Sequence, residues 1–560
     1  SLYTLLRKER RKMSKINIFG LGGLNENGKN MYVIEVDNDI FVFEAGLQYA
    51  DEHTLGIDYV IPNIDYLRDN KERLKGLFLT HGHDENVGAI TDIIDILDNV
   101  KIYGSKFTCN IVREELLSYK KSIDNIIEVK ENKIIDFGNV RITPISLSHS
   151  IPDNYGYAVY TPDGVIFYAS DFVFDSTMRG PYKTDLGRLA YVGRQNVICL
   201  MTESLYATNS GYTSPNHRIQ GIINETLTKY KGRIIFNVLN SHLYRIQELF
   251  NEVSKTDRKI VVMGKRLQNI IRYSIDNNYL HIDSKFIGDL SNINDKDVVI
   301  LNSNEREKPY VNMIKILDGY DKFIKINKND TVFLATPIYE GREKTFYGLL
   351  DKIAMVGATA ITLNPKKNLS YHASAEDLMQ MIDLMNPRYY FPIKGEYSEQ
   401  VVNGDLAYNL GIPKENIILK ENGGVASFVN GKLVDDFKTI RTGVVSIDGD
   451  SSADIGELVL RDREMLSENG IIIISATLEK HGKQILAGPE VLTRGFIYVK
   501  DSQDIINHIK EICTGIIRGN IHNGYLDYSK VKNMIREELS KYLALETGNK
   551  PMIITVIQEI

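Results

Sequence analysis

Two histidines two residues apart, His81 and His83, followed at once by Asp84 and Glu85, make a metal-binding pattern at the end of an apolar strand. A lone pair of this kind is weak, because histidines near strand ends are usually surface or satisfied core residues. Four other segments strengthen it. His149 with Asp153, Asp171 with Asp175, Glu203 with Ser204, and Lys394 with Glu396 each follow a short apolar run. Any one of these alone reads as a capped strand or a turn. Polar residues gathered at one end of several strands are how a sheet scaffold builds a site, so together, and in this order, they favour a metal centre.

The elements that must position these residues follow from the hydrophobic periodicity. Alternating runs predict strands at 15–19, 31–36, 39–44 and 76–80, then at 100–103, 133–136, 140–147, 156–160 and 164–169. Helices are fewer there, at 87–97 and 105–117, which suggests a sandwich of mixed sheets with helices outside. From about 197 the rhythm changes to strand–helix alternation. Strands at 196–202, 233–239, 259–262, 298–301 and 331–335 are separated by helices at 215–230, 243–255, 266–278, 308–317 and 341–356, the pattern of a parallel α/β sheet. A helix at 375–386 and a strand at 388–392 lead to Lys394, with short strands up to about 447. The charged stretch 448–465 reads as a linker. A small α/β unit closes the chain, with strands at 470–477, 494–499 and 552–557 and helices at 502–518 and 529–545.

At 560 residues the chain is too long for a single core, and three or so domains are expected. Hydrophobic content of 43% and charged content of 25% are ordinary for a soluble protein, and no apolar run is long enough for a membrane segment. Residues 1–12, rich in Arg and Lys ahead of Met13, read as an appended leader outside the fold. Cys109, Cys199 and Cys513 are too scattered for a disulfide framework or a thiolate zinc site, which points to a reducing, cytoplasmic location. With a net charge of −6, any polyanionic partner needs a locally basic groove.

The run from His81 to Asn86 resembles the His-x-His-x-Asp-His signature of metallo-β-lactamase-fold hydrolases, with Glu85 and Asn86 where that signature has Asp and His. Residues 22–32, 56–62, 77–83, 149–153, 395–397, 454–456, 459–463, 488–489 and 494–498 further resemble the bacterial ribonuclease J family, and most closely its degenerate second paralogue in Gram-positive bacteria. The resemblance covers essentially everything after the leader. It implies an αββα metallo-β-lactamase sandwich with an inserted β-CASP α/β domain and a small C-terminal α/β domain. The layout it suggests is 13–204 and 371–447 for the sandwich, 205–370 for the insertion, 448–465 for the linker and 466–560 for a C-terminal oligomerisation domain. The activity it implies is cleavage of RNA from 5′-monophosphate ends and internally, in messenger decay and ribosomal RNA maturation.

Carried over residue by residue, the resemblance gives a first metal His81, His83, His149 and a bridging Asp171. The second metal's positions fall at Glu85, Asn86, Asp171 and Lys394. There an amide is a poor ligand and an ammonium has no lone pair to give. Lys394 is expected instead to pair with Glu85 and Asp171, as a tethered substitute for the cation. Glu44 stands where the family has an Asp bracing the metal loop. His372, oriented by Glu203, matches the family's general acid. The substrate-binding positions are Asn368, Ser370, His372 and Ser374, with Asn368 replacing a His and Tyr371 a Gly. His242 and Tyr244 also depart from the family's pattern ahead of Arg245. Relatives' calcium would fall on Asp51, Glu52 and Asp454, for which a solvated acidic loop is the plainer reading.

Two functional readings stay open at this point. One is a weakly active or inactive subunit that binds RNA and an active ribonuclease J paralogue as a dimer or tetramer. The other is a one-metal, manganese-dependent 5′–3′ exoribonuclease. At most one zinc or manganese ion, weakly bound, is expected.

Overall fold

A computed structural model describes residues 13–560 except 51–55, 305–309, 337, 340, 435, 449–450, 455 and 498–501, with main chain alone at 451–454 and 457. The leader at 1–12, Asp51, Glu52, His53, the Asp454 side chain and Tyr498 lie outside the described residues. The rest form two compact units, the second made of 446–560 with the short segment before Tyr59.

Two mixed sheets face one another in the first unit. One has eight strands in the order Lys432–Val434, Ala426–Val429, Lys15–Gly22, Met31–Val36, Asp39–Phe43, Leu74–Phe78, Ile102–Gly104 and Ile126–Glu128. The other has six, ordered Tyr389–Ile393, Val197–Glu203, Gly164–Tyr168, Tyr155–Thr161, Arg141–Ser146 and Ile135–Asp136. Their inner faces meet in an aromatic seam, where the Phe43 ring lies 5.3 Å from Phe78 and 5.4 Å from Tyr168. Buried phenols need a partner. Tyr157 donates to the Leu79 carbonyl at 2.6 Å and Tyr32 to that of Gly23 at 2.9 Å, which ties the seam to the loops of the metal pattern.

The alternating stretch forms an all-parallel five-stranded sheet, ordered Ile260–Val262, Val299–Asn302, Ile234–Asn237, Thr331–Leu334 and Thr359–Thr362. Its strands are nearly all apolar because helices cover both faces. The last strand was not expected. It is only partly buried and ends in polar residues, so it carries little apolar signal.

The helix Tyr397–Asn409 was also missed. Its buried face is Gln400, Asn403, Gly404 and Ala407, so it has no apolar stripe. Asn403 instead satisfies the Glu203 carbonyl at 2.9 Å and accepts from the Tyr390 hydroxyl at 2.6 Å. The helix expected at 87–97 begins earlier, as a short turn Asp84–Val87 directly after His83, and resumes at Ile90–Ile93.

In the second unit, Ile485–Arg494, Ile471–Leu478 and Met552–Glu559 form one sheet, with Gln503–Gly519 and Tyr528–Thr547 packed on it through Ile472, Ile474, Ile509, Ile535 and Leu539. The strand expected at 494–499 runs earlier because Gly488 and Pro489 interrupt the pattern of the true one. The stretch expected to be a linker contains the helix Glu457–Asn469, whose charged residues hid its period. Among the described residues, no helix is long and apolar enough to cross a membrane.

Candidate metal centre and acid–base pair

Backbone interlocking fixes the His81–Asn86 loop. Asn30 and Ala45 amides donate to the Glu85 and Asn86 carbonyls at 3.0 and 2.7 Å, and the Leu47 amide to Asp84 at 3.0 Å. A side chain at Gly46 would put its Cβ 1.6 Å from the Glu85 carbonyl oxygen, so only glycine allows this approach. Glu44 Oε1 accepts from the Thr80 amide at 3.0 Å and thereby braces the strand end. Burial pushes this carboxyl up to about 8, although Lys394 and Thr80 oppose the shift. Glu44, Ser170 and Lys394 all hold positive φ angles, of 70°, 58° and 54°, an unusual concentration of strained backbone around one spot.

His81, His83 and His149 are buried and converge. His83 Nδ1 lies 3.0 Å from His81 Nε2 and 3.3 Å from His149 Nε2. Zn–N bonds at a tetrahedral angle place ligand nitrogens about 3.3 Å apart, so the three rings fit one ion. Their outer contacts fit it as well. His149 Nδ1 donates to the Tyr371 carbonyl at 2.8 Å, which leaves Nε2 as the lone pair facing inward, and His81 Nδ1 meets Thr80 Oγ1 at 2.9 Å. Burial, reinforced by the neighbouring rings, holds the His81 and His149 imidazoles well below their usual range and keeps them neutral, the form a metal requires.

Asp171 lies at the edge of this cluster. Its Oδ2 is 3.5 Å from His81 Nε2, and its Oδ1 accepts from the Lys394 ammonium at 2.9 Å. Burial alone would raise the Asp171 carboxyl, but Lys394 foremost, together with His372, His81 and His149, outweighs it and holds the group well below the usual carboxylate range. Lys394 is equally buried. Burial disfavours its ammonium, yet Asp171 and Glu44 reverse the effect and hold its pKa above the usual lysine value. The Lys394 amide donates to the Gly23 carbonyl and the Gly395 amide to that of Glu26, both at 2.9 Å, so the loop carrying the ammonium is pinned. Asn86 turns its amide nitrogen to His81 Nε2 at 2.9 Å, while its oxygen accepts from Asn30 Nδ2 at 3.0 Å. Asn86 therefore brings only an amide oxygen already engaged by Asn30, and the Lys394 ammonium has no lone pair to give a second ion.

Beyond Asp171 stands the pair His372 and Glu203. His372 Nδ1 donates to Glu203 Oε2 at 2.7 Å, and Glu203 Oε1 accepts from the amides of Phe172 and Ala373 at 3.1 and 2.9 Å. Burial pushes the Glu203 carboxyl up and by itself would lower His372. The carboxylate in contact more than compensates and raises the imidazole above its usual value. Among the described residues, potential ligand atoms form three groups, His81–His83–His149, His81–Glu85–Asp171 and Asp171–Glu203–His372, each within 4.8 Å.

Comparison with known proteins matches most of the chain in pieces. Residues 24–194 match the metallo-beta-lactamase superfamily, 231–353 the ribonuclease J beta-CASP domain, 364–411 the Zn-dependent metallo-hydrolase RNA specificity domain, and 458–560 the ribonuclease J C-terminal domain. Ribonuclease J 2 of Staphylococcus aureus is 34% identical over 557 residues, covering 98% of this chain and 99% of that protein. The chain belongs to the ribonuclease J family. Ribonuclease J 2 of Staphylococcus epidermidis is likewise 34% identical, with the same coverage. A crystal structure of a protein of unknown function from Enterococcus faecalis V583 aligns with a TM-score of 0.52 at 16% identity, covering 74% of this chain and 100% of that one, a likeness of fold alone.

The family thus brings a metallo-β-lactamase domain, a β-CASP insertion and a C-terminal domain, with nuclease chemistry and a metal cofactor. Against this family pattern, the remaining positions differ in what they do. Glu85 is partly exposed, with Oε1 3.6 Å from His83, and the Lys394 ammonium bonds Asp171 and Ser170 rather than Glu85. Asn368 closes its own turn, accepting from the Asn364 amide at 2.9 Å. The Ser370 amide donates to the Tyr206 hydroxyl at 3.1 Å. Ser374 is fully buried as the N-cap of Ala375–Met385, with its hydroxyl 2.7 Å from that of Thr213. In the sequence, His242 and Tyr371 stand out as departures from the family. In the fold both rings stand beside the histidines, His242 at 5.5 Å from His83 and Tyr371 at 6.4 Å from His149.

Proposed function

We propose that this chain is a weakly active or inactive RNA-binding subunit that acts with an active ribonuclease J paralogue in RNA processing and decay. The observation that carries this reading is the Lys394 ammonium, 2.9 Å from Asp171 where a second ion would need a ligand. A fixed positive charge on that carboxylate opposes the approach of another cation. The ring of Tyr371, where the family has a glycine, and the self-bonded Asn368 support a narrowed site for a 5′-monophosphate end. The layout proposed is 13–204 with 371–447, 205–370 and 466–560, the last serving oligomerisation with the paralogue or with itself in the cytoplasm.

A second reading, a one-metal 5′–3′ exoribonuclease that acts alone, is favoured by the intact His372–Glu203 pair at 2.7 Å. In either reading His81, His83 and His149 would hold one zinc or manganese ion, with Asp171 at its edge. Such an ion supplies Lewis acidity and a nucleophile at neutral pH. Glu203 accepts the Nδ1–H hydrogen bond of His372 and stabilises the charged form of the ring. That leaves the opposite nitrogen, Nε2, to protonate the leaving oxygen. Lys394 keeps Asp171 ionised and offers a positive field to a phosphate.

The test is metal stoichiometry by elemental analysis together with nuclease activity of highly purified protein, with His83→Ala as the control for contaminating nuclease. One ion or fewer, and a trace activity shared by parent and control, supports the subunit reading. Activity that disappears in the control supports the exoribonuclease. Two ions at full occupancy would overturn both.

A further inference from the structure

Tyr371 is one of the largest fully buried side chains in the protein, and its main chain and its ring are used differently. Its carbonyl accepts from His149 Nδ1 at 2.8 Å, so it decides which nitrogen of that ring faces the histidine cluster. Its neighbour His372 carries the bond to Glu203. One peptide segment therefore holds both the histidine side and the acid side of the site.

The ring is what fixes that segment in place. It packs edge-on against His217 at 5.0 Å and against His242 and Tyr244 at 5.9 Å each, and the Arg245 guanidinium lies over it, 5.6 Å from the centroid. Arg245 is itself immobilised, with Nη1 donating to the Ala335 carbonyl at 2.7 Å. Three of these contacts come from the helix Leu243–Val253 and its N-cap, His242. The Tyr371 hydroxyl lies near Glu248 without a well-aligned hydrogen bond. The rigid aromatic body, not the hydroxyl, thus carries the anchoring. A cation–π contact in a desolvated setting and several edge-to-face contacts are each favourable and directional.

We infer that Tyr371 is a positioning residue: its caged ring fixes the carbonyl that sets the tautomer of His149, and so ties metal binding at the three histidines to the ordering of the β-CASP helix. The inference rests on the three-histidine reading above. It predicts that the ring governs metal affinity at a distance, because a metal-bound histidine depends on the acceptor behind it.

The experiment titrates metal-free full-length protein with Co²⁺ and reads both affinity and visible absorption. The parent is expected to take up one equivalent with the intense bands of a tetrahedral site. Tyr371→Phe should match it within about twofold, since the ring is kept. Tyr371→Ala should bind at least about tenfold more weakly, with altered bands, at unchanged circular dichroism. Should Tyr371→Ala not fold, Tyr371→Met keeps most of the volume without the rigid ring and is expected to behave in the same way. A folded Ala or Met variant with the parent's affinity and spectrum would overturn the inference while leaving the three-histidine site intact. A parent that takes up no Co²⁺ would overturn both.

Discussion

The two oxygens of Asp171 answer the same electrostatic problem in opposite ways. Toward Oδ2, 3.5 Å from His81, three imidazole rings converge on one small space, an arrangement that a cation from solution would complete. Toward Oδ1 the cation is already present, because the Lys394 ammonium sits there at 2.9 Å on a loop pinned by two backbone hydrogen bonds. The first side is conditional on metal concentration and pH, while the second is permanent. A tethered ammonium neutralises a buried carboxylate as an ion does, but it cannot bind water or a phosphate oxygen as a Lewis acid. On the proposed reading, one carboxylate keeps the electrostatics of a two-ion centre and gives up half of its chemistry.

The largest expected effect separates the two sides directly. His83→Ala removes the nitrogen that lies between the other two, at 3.0 and 3.3 Å, and should abolish detectable metal uptake while leaving the melting curve of the metal-free protein nearly unchanged. Isothermal titration with Mn²⁺ and Zn²⁺ measures it. Retained stoichiometric binding would mean the histidines are core residues only.

Next comes Lys394→Ala. A buried charge tolerates its surroundings only when paired, and loss of one partner typically costs about 3–5 kcal/mol. Here Asp171 would be left without its cation and Glu44 without its nearest opposing charge. Urea denaturation at neutral pH should show a loss in that range. A loss below about 1 kcal/mol would show that water or another group compensates Asp171, and the contrast drawn above would fail.

Restoring the family residues on that side is a gain-of-function test of smaller size. Lys394→His alone should recover nothing, since the Asn86 oxygen remains committed to Asn30. Glu85→Asp, Asn86→His and Lys394→His together should bind a second ion and raise the nuclease rate at least about tenfold, a modest share of the several kcal/mol a metal can supply. Elemental analysis and single-turnover cleavage of a 5′-monophosphorylated RNA would measure the two effects. A triple variant that binds two ions yet stays at the parent's rate would move the defect to Asn368 and Tyr371.

How much of this was legible beforehand depends on what a residue packs against. Residues that end apolar strands were readable, because a short run of consecutive apolar residues marks a strand buried on both faces and the polar residue after it marks its end; His81, Asp171 and Glu203 belong here. The Tyr397–Asn409 helix was not readable, because its inward face of Gln400 and Asn403 is matched to polar partners on a neighbouring strand rather than to apolar ones. Ser374 looked available next to His372, and only the fold shows its hydroxyl turned toward Thr213 at a helix cap. The role of Tyr371 was illegible for a related reason. Its cage is assembled from His217, the 242–245 turn and His149, more than a hundred residues away along the chain.

The smallest effect uses an internal control four residues from Asp171. Asp175 is also a buried carboxylate facing cationic groups, with His217 Nε2 at 2.9 Å and Arg218 bonding both oxygens at 3.1 and 2.7 Å, but Arg218 is about one-third exposed. Burial alone would raise its carboxyl; the hydrogen bonds from His217, Thr177 and Arg218 outweigh that and hold it well below the usual carboxylate range. A carboxyl depressed in the folded state contributes stability that is present above its unfolded pKa, about 3.9, and lost as pH falls through the folded value. Asp175→Asn should therefore cost on the order of 1 kcal/mol at pH 7, because a partner open to solvent is easily rehydrated. The gap to the parent should narrow once the pH drops below about 4. Urea melts at pH 7 and pH 3.5 measure both values. If Asp175→Asn instead costs as much as Lys394→Ala, burial of the carboxylate alone sets the penalty, and the sealed position of Lys394 makes no difference.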